Sequence, residues 1–146
     1  MPMFQHPLMK LAELSGALSW IGPRPDTDET ELARAIANQI GYPTARVDPF
    51  REGELVRLDF SQAVHVLAVA STLSLAYDAP HPSSNAIGQA ACALDQFRTN
   101  AVFLSNGFWK QDKPLEWSPM TDATFDCGVL GYDARQAFIF WVEEED

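Results

Sequence analysis

The chain has 146 residues, 47% hydrophobic and 21% charged, which is typical of a folded globular protein and predicts one domain over residues 1–146. Twenty acidic and ten basic residues give a net charge of −10. This excess of acid argues against nucleic acid or an anionic membrane as a direct partner, because both are bound through basic groups. Nine acids and two bases lie in residues 112–146, so most of the surplus charge is in the last quarter of the chain.

The first 22 residues predict a helix rather than an export signal. Pro7 suits a first helical turn, and Gly22 and Pro23 would end the helix. The apolar positions at helical spacing are Leu11, Leu14, Leu18 and Ile21. No basic segment precedes them, no small-residue cleavage site follows, and no apolar run is long enough to span a bilayer. Cys92 and Cys127 lack metal-binding spacing and fit buried, reduced thiols, so we expect a cytoplasmic protein.

The next segment predicts a helix and a strand. Asp28 and Glu31 resemble a capping box at the start of a helix, and Gly41 is placed to end it. Leu32, Ile36 and Ile40 would form the buried stripe of that helix. Apolar and polar residues then alternate over residues 54–60, which predicts a strand with one buried face.

Two further helices are expected before residue 100. The first begins at Ser61 as its cap and runs to about Tyr77; apolar residues cover most of its circumference, which predicts a central position. A strand over residues 64–69 is the alternative, because the segment is rich in β-branched residues. The second helix begins at Ser83 or Ser84.

The last third of the chain predicts antiparallel strands. Asn106-Gly107 lies between apolar runs, as in a two-residue type I′ hairpin. A second hairpin is expected around residues 133–136. Residues 137–142 are apolar on both faces, so that strand is either central in the sheet or meets a partner with its second face. The predicted fold is α+β, with helices in the N-terminal two thirds packed on a mainly antiparallel C-terminal sheet.

Motifs for nucleotides, cofactors and catalytic serines are absent from the sequence, and we expect neither a cofactor nor a metal site. His65 lies on the most apolar helix and fits a core histidine with one hydrogen bond. Asp122 and Asp126 could act as an acid/base pair or bind a cation, together with His81. In an extended chain, however, their side chains would be about 13 Å apart, which favours a turn that leads into a strand.

Aromatic and acidic residues concentrate near the C-terminus. Aromatic side chains surrounded by acids suit a docking surface for a basic protein, because opposite charge speeds association and buried rings hold the complex. The residues assigned to this surface are Trp109, Trp117, Trp141, Glu143, Glu144, Glu145 and Asp146. Core packing of the tryptophans and a solubilising acidic tail are the alternatives.

The segment FDCGVLGYDARQAFIFWVEEED, with a hairpin followed by acids, resembles the endings of small acidic bacterial immunity proteins, which neutralise a toxin by occluding its active site. The resemblance is confined to the last third and assigns no site residue. It implies a non-catalytic, inhibitory protein with a basic toxin as partner. A small carboxylate-dependent enzyme and a structural subunit of a phage or secretion assembly are the other two hypotheses.

Overall fold

The computed structural model describes residues 5–51, 54–110 and 117–145, which contain four α-helices, one short 3₁₀ turn and five strands. In chain order these are α1 (Pro7–Ser15), β1 (Leu18–Pro23), α2 (Glu29–Asn38), β2 (Val56–Leu58), α3 (Phe60–Thr72), α4 (Ser84–Ala93), the 3₁₀ turn (Asp95–Phe97), β3 (Val102–Ser105), β4 (Phe125–Tyr132) and β5 (Gln136–Glu144). The strands form one antiparallel sheet in the order β1–β5–β4–β3–β2. The predicted α+β class is confirmed.

Helices cover both faces of the sheet. Phe138 and Phe140 of β5 pack with α1, α3 and α4 in one core, which we call the α3-side core. Ile139 and Trp141, which alternate with them, pack with α2 in a second core, the α2-side core. Strand β5 lies between β1 and β4, so the prediction of a central strand with two apolar faces is confirmed. Its second face is covered by α2 of the same chain.

The starts of α3 and α4 follow the expected capping chemistry, one of them with a shift, whereas Asp28 precedes α2 without the side-chain hydrogen bond of the predicted capping box. Asp59 caps α3 by accepting from the Gln62 backbone N–H at 2.7 Å, and the Gln62 side chain accepts from the Asp59 N–H at 2.9 Å. The cap is therefore two residues earlier than the predicted Ser61, and it shortens the preceding strand to Val56–Leu58. The helix ends at Thr72 rather than near Tyr77. Ser83 caps α4, as predicted.

The predicted first helix is wrong beyond Ser15. Gly16 adopts a left-handed conformation, φ +72°, and its N–H bonds to the Ala12 carbonyl, which ends α1. Leu18 and Ile21, assigned by their spacing to the helix, lie instead on β1 and pair with β5. The helical spacing continues by chance into an edge strand, and Gly16 separates the two elements.

Only one of the two predicted hairpins exists. Strands β4 and β5 are joined by a turn in which the Asp133 N–H donates to the Gln136 carbonyl at 3.0 Å, as expected. The hairpin at Asn106-Gly107 is wrong. Strand β3 ends at Ser105 and pairs with β2 and β4, while Asn106 is buried and uses its side chain to hold Asp126.

The longest helix among the described residues is α3, with 13 residues. Crossing a bilayer takes about 20 apolar residues in a helix. None of the helices in the described ranges meets that requirement.

Candidate functional site: the acidic end of the sheet

Strand β4 begins and β5 ends at the same end of the sheet, because the two strands are antiparallel. Phe125 lies opposite Glu144, and Asp126 lies opposite Glu143. The turn that precedes β4 and the last residues of β5 therefore bring five carboxylates to one place. We call this group the acidic end: Asp122, Asp126, Glu143, Glu144 and Glu145.

Alternation along β5 sends two consecutive glutamates to opposite faces. Glu143 accepts a hydrogen bond from the Tyr42 hydroxyl at 2.7 Å, on the α2 side. Burial and then this neighbouring carboxylate raise the pKa of Tyr42 far above its ordinary value, so the phenol stays protonated and remains a donor. Glu143 is exposed beyond this contact, and its position is fixed by a tyrosine from another element.

Glu144 lies on the α3 side of the sheet and binds the segment that follows α3 through hydrogen bonds. Its carboxylate accepts from the Ser74 hydroxyl at 2.6 Å and from the backbone N–H groups of Leu75 and Ala76 at 2.9 and 3.0 Å. Partial burial disfavours its charge, but these three donors together hold the pKa of Glu144 below its ordinary value. Glu144 is therefore a structural group, and its assignment to the docking surface is corrected.

Two exposed carboxylates are held by threonines. Glu145 accepts from the Thr124 hydroxyl at 2.7 Å and more distantly from its N–H at 3.4 Å. The Asp122 N–H donates to the Thr44 hydroxyl at 3.1 Å, and that hydroxyl lies 3.5 Å from the Asp122 carboxylate. Both acids remain exposed to solvent, but neither lies on a free tail.

Within the described ranges, no lysine, arginine or histidine forms an ion pair with the acidic end. The four ion pairs found there join Arg34 to Glu31 and Asp48, Arg51 to Glu54, and Arg98 to Asp95. Asp122, Glu143 and Glu145 are thus oriented by neutral donors and have no ion-pair partner among the described residues. This combination favours interaction with a cation from outside the chain.

Asp126 is the buried member of the acidic end, and protein groups occupy both its oxygens. One oxygen, Oδ1, accepts from the Asn106 amide, the Trp141 indole N–H and the Met120 N–H at 2.9, 2.9 and 3.1 Å. The other, Oδ2, accepts from the Thr121 N–H and hydroxyl at 3.2 and 3.0 Å. Burial raises the pKa of Asp126, and the bonds from Trp141, Met120 and Thr121 oppose that rise.

The buried position of Asp126 argues against the hypothesis of a small carboxylate-dependent enzyme. A general base or metal ligand needs an oxygen that a substrate or ion can reach. Asp126 is fully buried and offers no such oxygen, and Asp122 is exposed. His81 lies in an exposed loop, and in the described part of the chain no hydrogen bond joins it to either aspartate. The preferred interpretation of TDATFD, a turn that leads into a strand, agrees with the observed chain path.

The three tryptophans assigned to the docking surface have different environments. Trp141 is 0% exposed and Trp109 is 5% exposed, so neither ring can contact a partner, and both assignments are corrected. Trp141 lies on the central strand, and Trp109 donates to the Asn106 side chain at 3.3 Å. Trp117 is only half-buried and stacks between Trp109 and Phe125, with ring centroids 5.8 and 6.1 Å away. It alone of the three can offer ring surface.

The groups that organise the acidic end come from distant parts of the chain. Tyr42 is 101 residues before Glu143, Ser74 is 70 residues before Glu144, and Thr44 is 78 residues before Asp122. Sequence reasoning missed all three, and no local pattern marks a hydroxyl that reaches a carboxylate across the fold. Asp146, also assigned to the surface, lies outside the described residues, as do Asp112 and Glu116.

The remaining candidates are structural or isolated. The ring of His65 makes one hydrogen bond, at 2.7 Å to the Trp109 carbonyl, as predicted, but the residue is half-buried and not a core histidine. Cys127 is buried, but Cys92 is exposed on α4, which corrects the expectation of two buried thiols. No group of three or more metal-binding side chains is found in residues 5–51, 54–110 and 117–145. Comparison with protein-family models, with curated proteins and with solved structures finds no match to this chain.

Proposed function

We propose that this protein is a non-catalytic binding protein whose acidic end recognises a basic protein partner. One observation carries the proposal. Asp122, Glu143 and Glu145 are exposed, held in place by neutral hydroxyl groups, and without a cationic partner among the described residues.

Fixed carboxylates are better suited to binding than a mobile acidic tail. A side chain that is already hydrogen-bonded loses less conformational freedom when a partner binds. Tyr42 donates one hydrogen bond to Glu143, and Thr124 donates two to a single oxygen of Glu145, which leaves lone pairs on both carboxylates for a lysine or arginine. Surface charge of this kind mainly raises the association rate, while a desolvated aromatic residue slows dissociation. Trp117, half-buried near Phe125, supplies the aromatic contact.

The specific form of this function that we propose is that of an immunity protein, acting in the cytoplasm of its own cell. A toxin that cleaves nucleic acid carries a basic active site, since its substrate is a polyanion. A rigid acidic surface can occlude such a site by occupying the positions of the phosphates. The net charge of −10 supports this partner class, and the hairpin-plus-acid ending supports the resemblance.

Purification of the tagged full chain from the cells that normally make it tests this proposal. The test variant carries Asp122→Asn, Glu143→Gln and Glu145→Gln, which remove three charges but keep oxygen acceptors for Thr44, Tyr42 and Thr124.

The control variant carries Asp26→Asn, Asp28→Asn and Glu31→Gln at the start of α2, where three charges are lost away from the acidic end. We expect a basic protein to be retained by the wild type and by the control, and lost from the test variant. Equal retention by both variants would contradict the proposed site, and a partner without a basic surface would contradict the proposed function.

A further inference from the structure

The two edges of the sheet differ in how they are protected. Strand β2 forms one edge with only three residues, and Arg57 is at its centre. Strand β1 forms the other edge with six residues, Leu18–Pro23, and none of them is charged. Exposed edge strands usually carry charge or are very short, because their unpaired backbone groups otherwise pair with another chain. Strand β1 has neither form of protection along residues 18–22.

The register shows which backbone groups of β1 point outward. The Arg24 N–H donates to the Arg135 carbonyl at 2.8 Å, and this pair continues the β1–β5 register. Hydrogen-bonded pairs alternate along antiparallel strands, so Gly22, Trp20 and Leu18 bond to β5. Ser19 and Ile21 therefore direct their N–H and C=O groups away from the sheet. No backbone hydrogen bond to either residue from outside the β1–β5 pair is found in the described ranges.

We propose that β1 pairs antiparallel with β1 of a second copy of this chain, which joins two five-stranded sheets into one. The pairing is centred on Trp20, so that Ser19 lies opposite the partner's Ile21 and Ile21 opposite the partner's Ser19. Each of these two pairs exchanges both its backbone hydrogen bonds. The four outward N–H groups of the two copies are all satisfied.

The positions of the outward backbone N–H groups favour pairing with a second copy in this register. Pro23 is the third outward position and has no N–H, so a register that used it would leave a carbonyl without a donor. Centring on Trp20 uses the two outward donors of each copy and leaves Pro23 outside the seam. Residues 18–23 carry no charged side chain, so the paired strands add no like-charge contact although each copy has a net charge of −10.

The side chains agree with this arrangement. Trp20 is half-buried against the α2-side core and would lie opposite the partner's Trp20 in a non-hydrogen-bonded pair, where Cα atoms are about 4.5 Å apart. Aromatic cross-strand pairs of this kind stabilise antiparallel sheets. Leu18, which is 48% exposed, would lie opposite the partner's Gly22, where the ring of the partner's Trp20 lies over the glycine and offers it an apolar contact. The pairing thus covers the exposed leucine of this edge.

The mass of the full chain in solution, measured by light scattering across its soluble concentration range, tests the proposal. We expect the wild type to approach twice the 16.2 kDa of one chain. Ser19→Pro removes an N–H that the single chain does not use in its sheet and is expected to halve that mass. Ser19→Ala keeps the N–H and is the matched control, which should remain dimeric.

A wild type that stays at 16.2 kDa throughout, or a Ser19→Pro variant that remains dimeric and folded, overturns the proposal. If the Ser19→Pro variant does not fold, amide hydrogen exchange on the wild type tests whether β1 pairs with a second copy. Protection of the Ser19 and Ile21 amides must then increase with protein concentration. Exchange at these two amides that is independent of concentration also overturns it.

Discussion

Glu143 and Glu144 are adjacent on β5, and they form hydrogen bonds with residues on opposite faces of the sheet. Glu143 accepts from Tyr42, which follows α2, and Glu144 accepts from Ser74, which follows α3. Successive side chains of a strand point to opposite faces, so two neighbouring acids reach two different helical layers. The end of β5 is therefore part of the folded structure, and its acids differ in role.

The most structural of these acids is Glu144. Replacing it with alanine leaves the Ser74 hydroxyl and the Leu75 and Ala76 N–H groups without their acceptor. We expect Glu144→Ala to lower the free energy of unfolding by about 1–3 kcal/mol. The control Glu145→Ala removes an exposed acid and should cost no more than about 0.5 kcal/mol. Urea unfolding of both variants checks this, and equal stabilities would show that Glu144 does not fasten the segment after α3.

The same contact predicts a dependence on pH. The pKa of Glu144 in the folded protein is below the ordinary 4.5, so its charge stabilises the fold above that pH. The stabilisation is lost as the pH falls through the folded pKa. The stability difference between wild type and Glu144→Gln should therefore be largest near neutral pH and shrink in acid. Other carboxylates, including Asp126, are shared by both proteins and cancel in the difference. A difference that stays constant below pH 4.5 would contradict the contact.

Asp126 gives the sharpest test of the buried network. An asparagine there replaces one oxygen by an NH₂ group that faces N–H donors from Trp141 and Met120 or from Thr121. We expect Asp126→Asn to cost about 1–3 kcal/mol of unfolding free energy. Asp122→Asn, the same substitution four residues earlier at an exposed site, should change it by less than about 0.5 kcal/mol. Two variants of equal stability would mean that the donors around Asp126 are satisfied without its charge.

The two thiols should differ in reactivity. Cys92 is exposed, whereas Cys127 is fully buried, and burial followed by the nearby Asp126 raises its pKa well above the ordinary value. The thiolate is the reactive form, so a native-state titration with a thiol reagent should label one cysteine rapidly. Denaturant should expose the second, and Cys92→Ser should abolish the rapid phase. Rapid labelling of the native Cys92→Ser variant would contradict the buried position of Cys127.

Much of the fold could be predicted because it is encoded locally. The two apolar faces of residues 137–142 predict a strand that is either central or meets a partner, and the structure makes it central; Ser83, one of the two predicted caps, begins α4. Local patterns failed where a second element decided the outcome. Leu18 and Ile21 continue a helical spacing, but pairing with β5 makes them a strand. Asn106-Gly107 has the composition of a tight turn, but the asparagine side chain bonds to Asp126 instead.

The acidic end could be located from sequence but not resolved into its parts. The run of acids at the end of β5 indicates where charge accumulates. The run could not show that Glu144 is hydrogen-bonded within the fold while Glu143 and Glu145 stay exposed to a partner. That difference depends on Tyr42 and Ser74, which come from remote segments of the chain. The burial of Trp141 follows from the central position of β5, so a central strand over residues 137–142 is incompatible with placing Trp141 on the docking surface.

Association kinetics with the purified basic partner at two ionic strengths test the role of the acidic end most directly. The variants are the triple substitutions at Asp122, Glu143 and Glu145 and, as control, at Asp26, Asp28 and Glu31. If the acidic end guides binding, the first variant associates more slowly than wild type at low salt and loses most of the salt dependence, while the control changes little. If both variants associate at the wild-type rate, or both slow equally, binding does not depend on the fixed carboxylates and the proposed site is wrong.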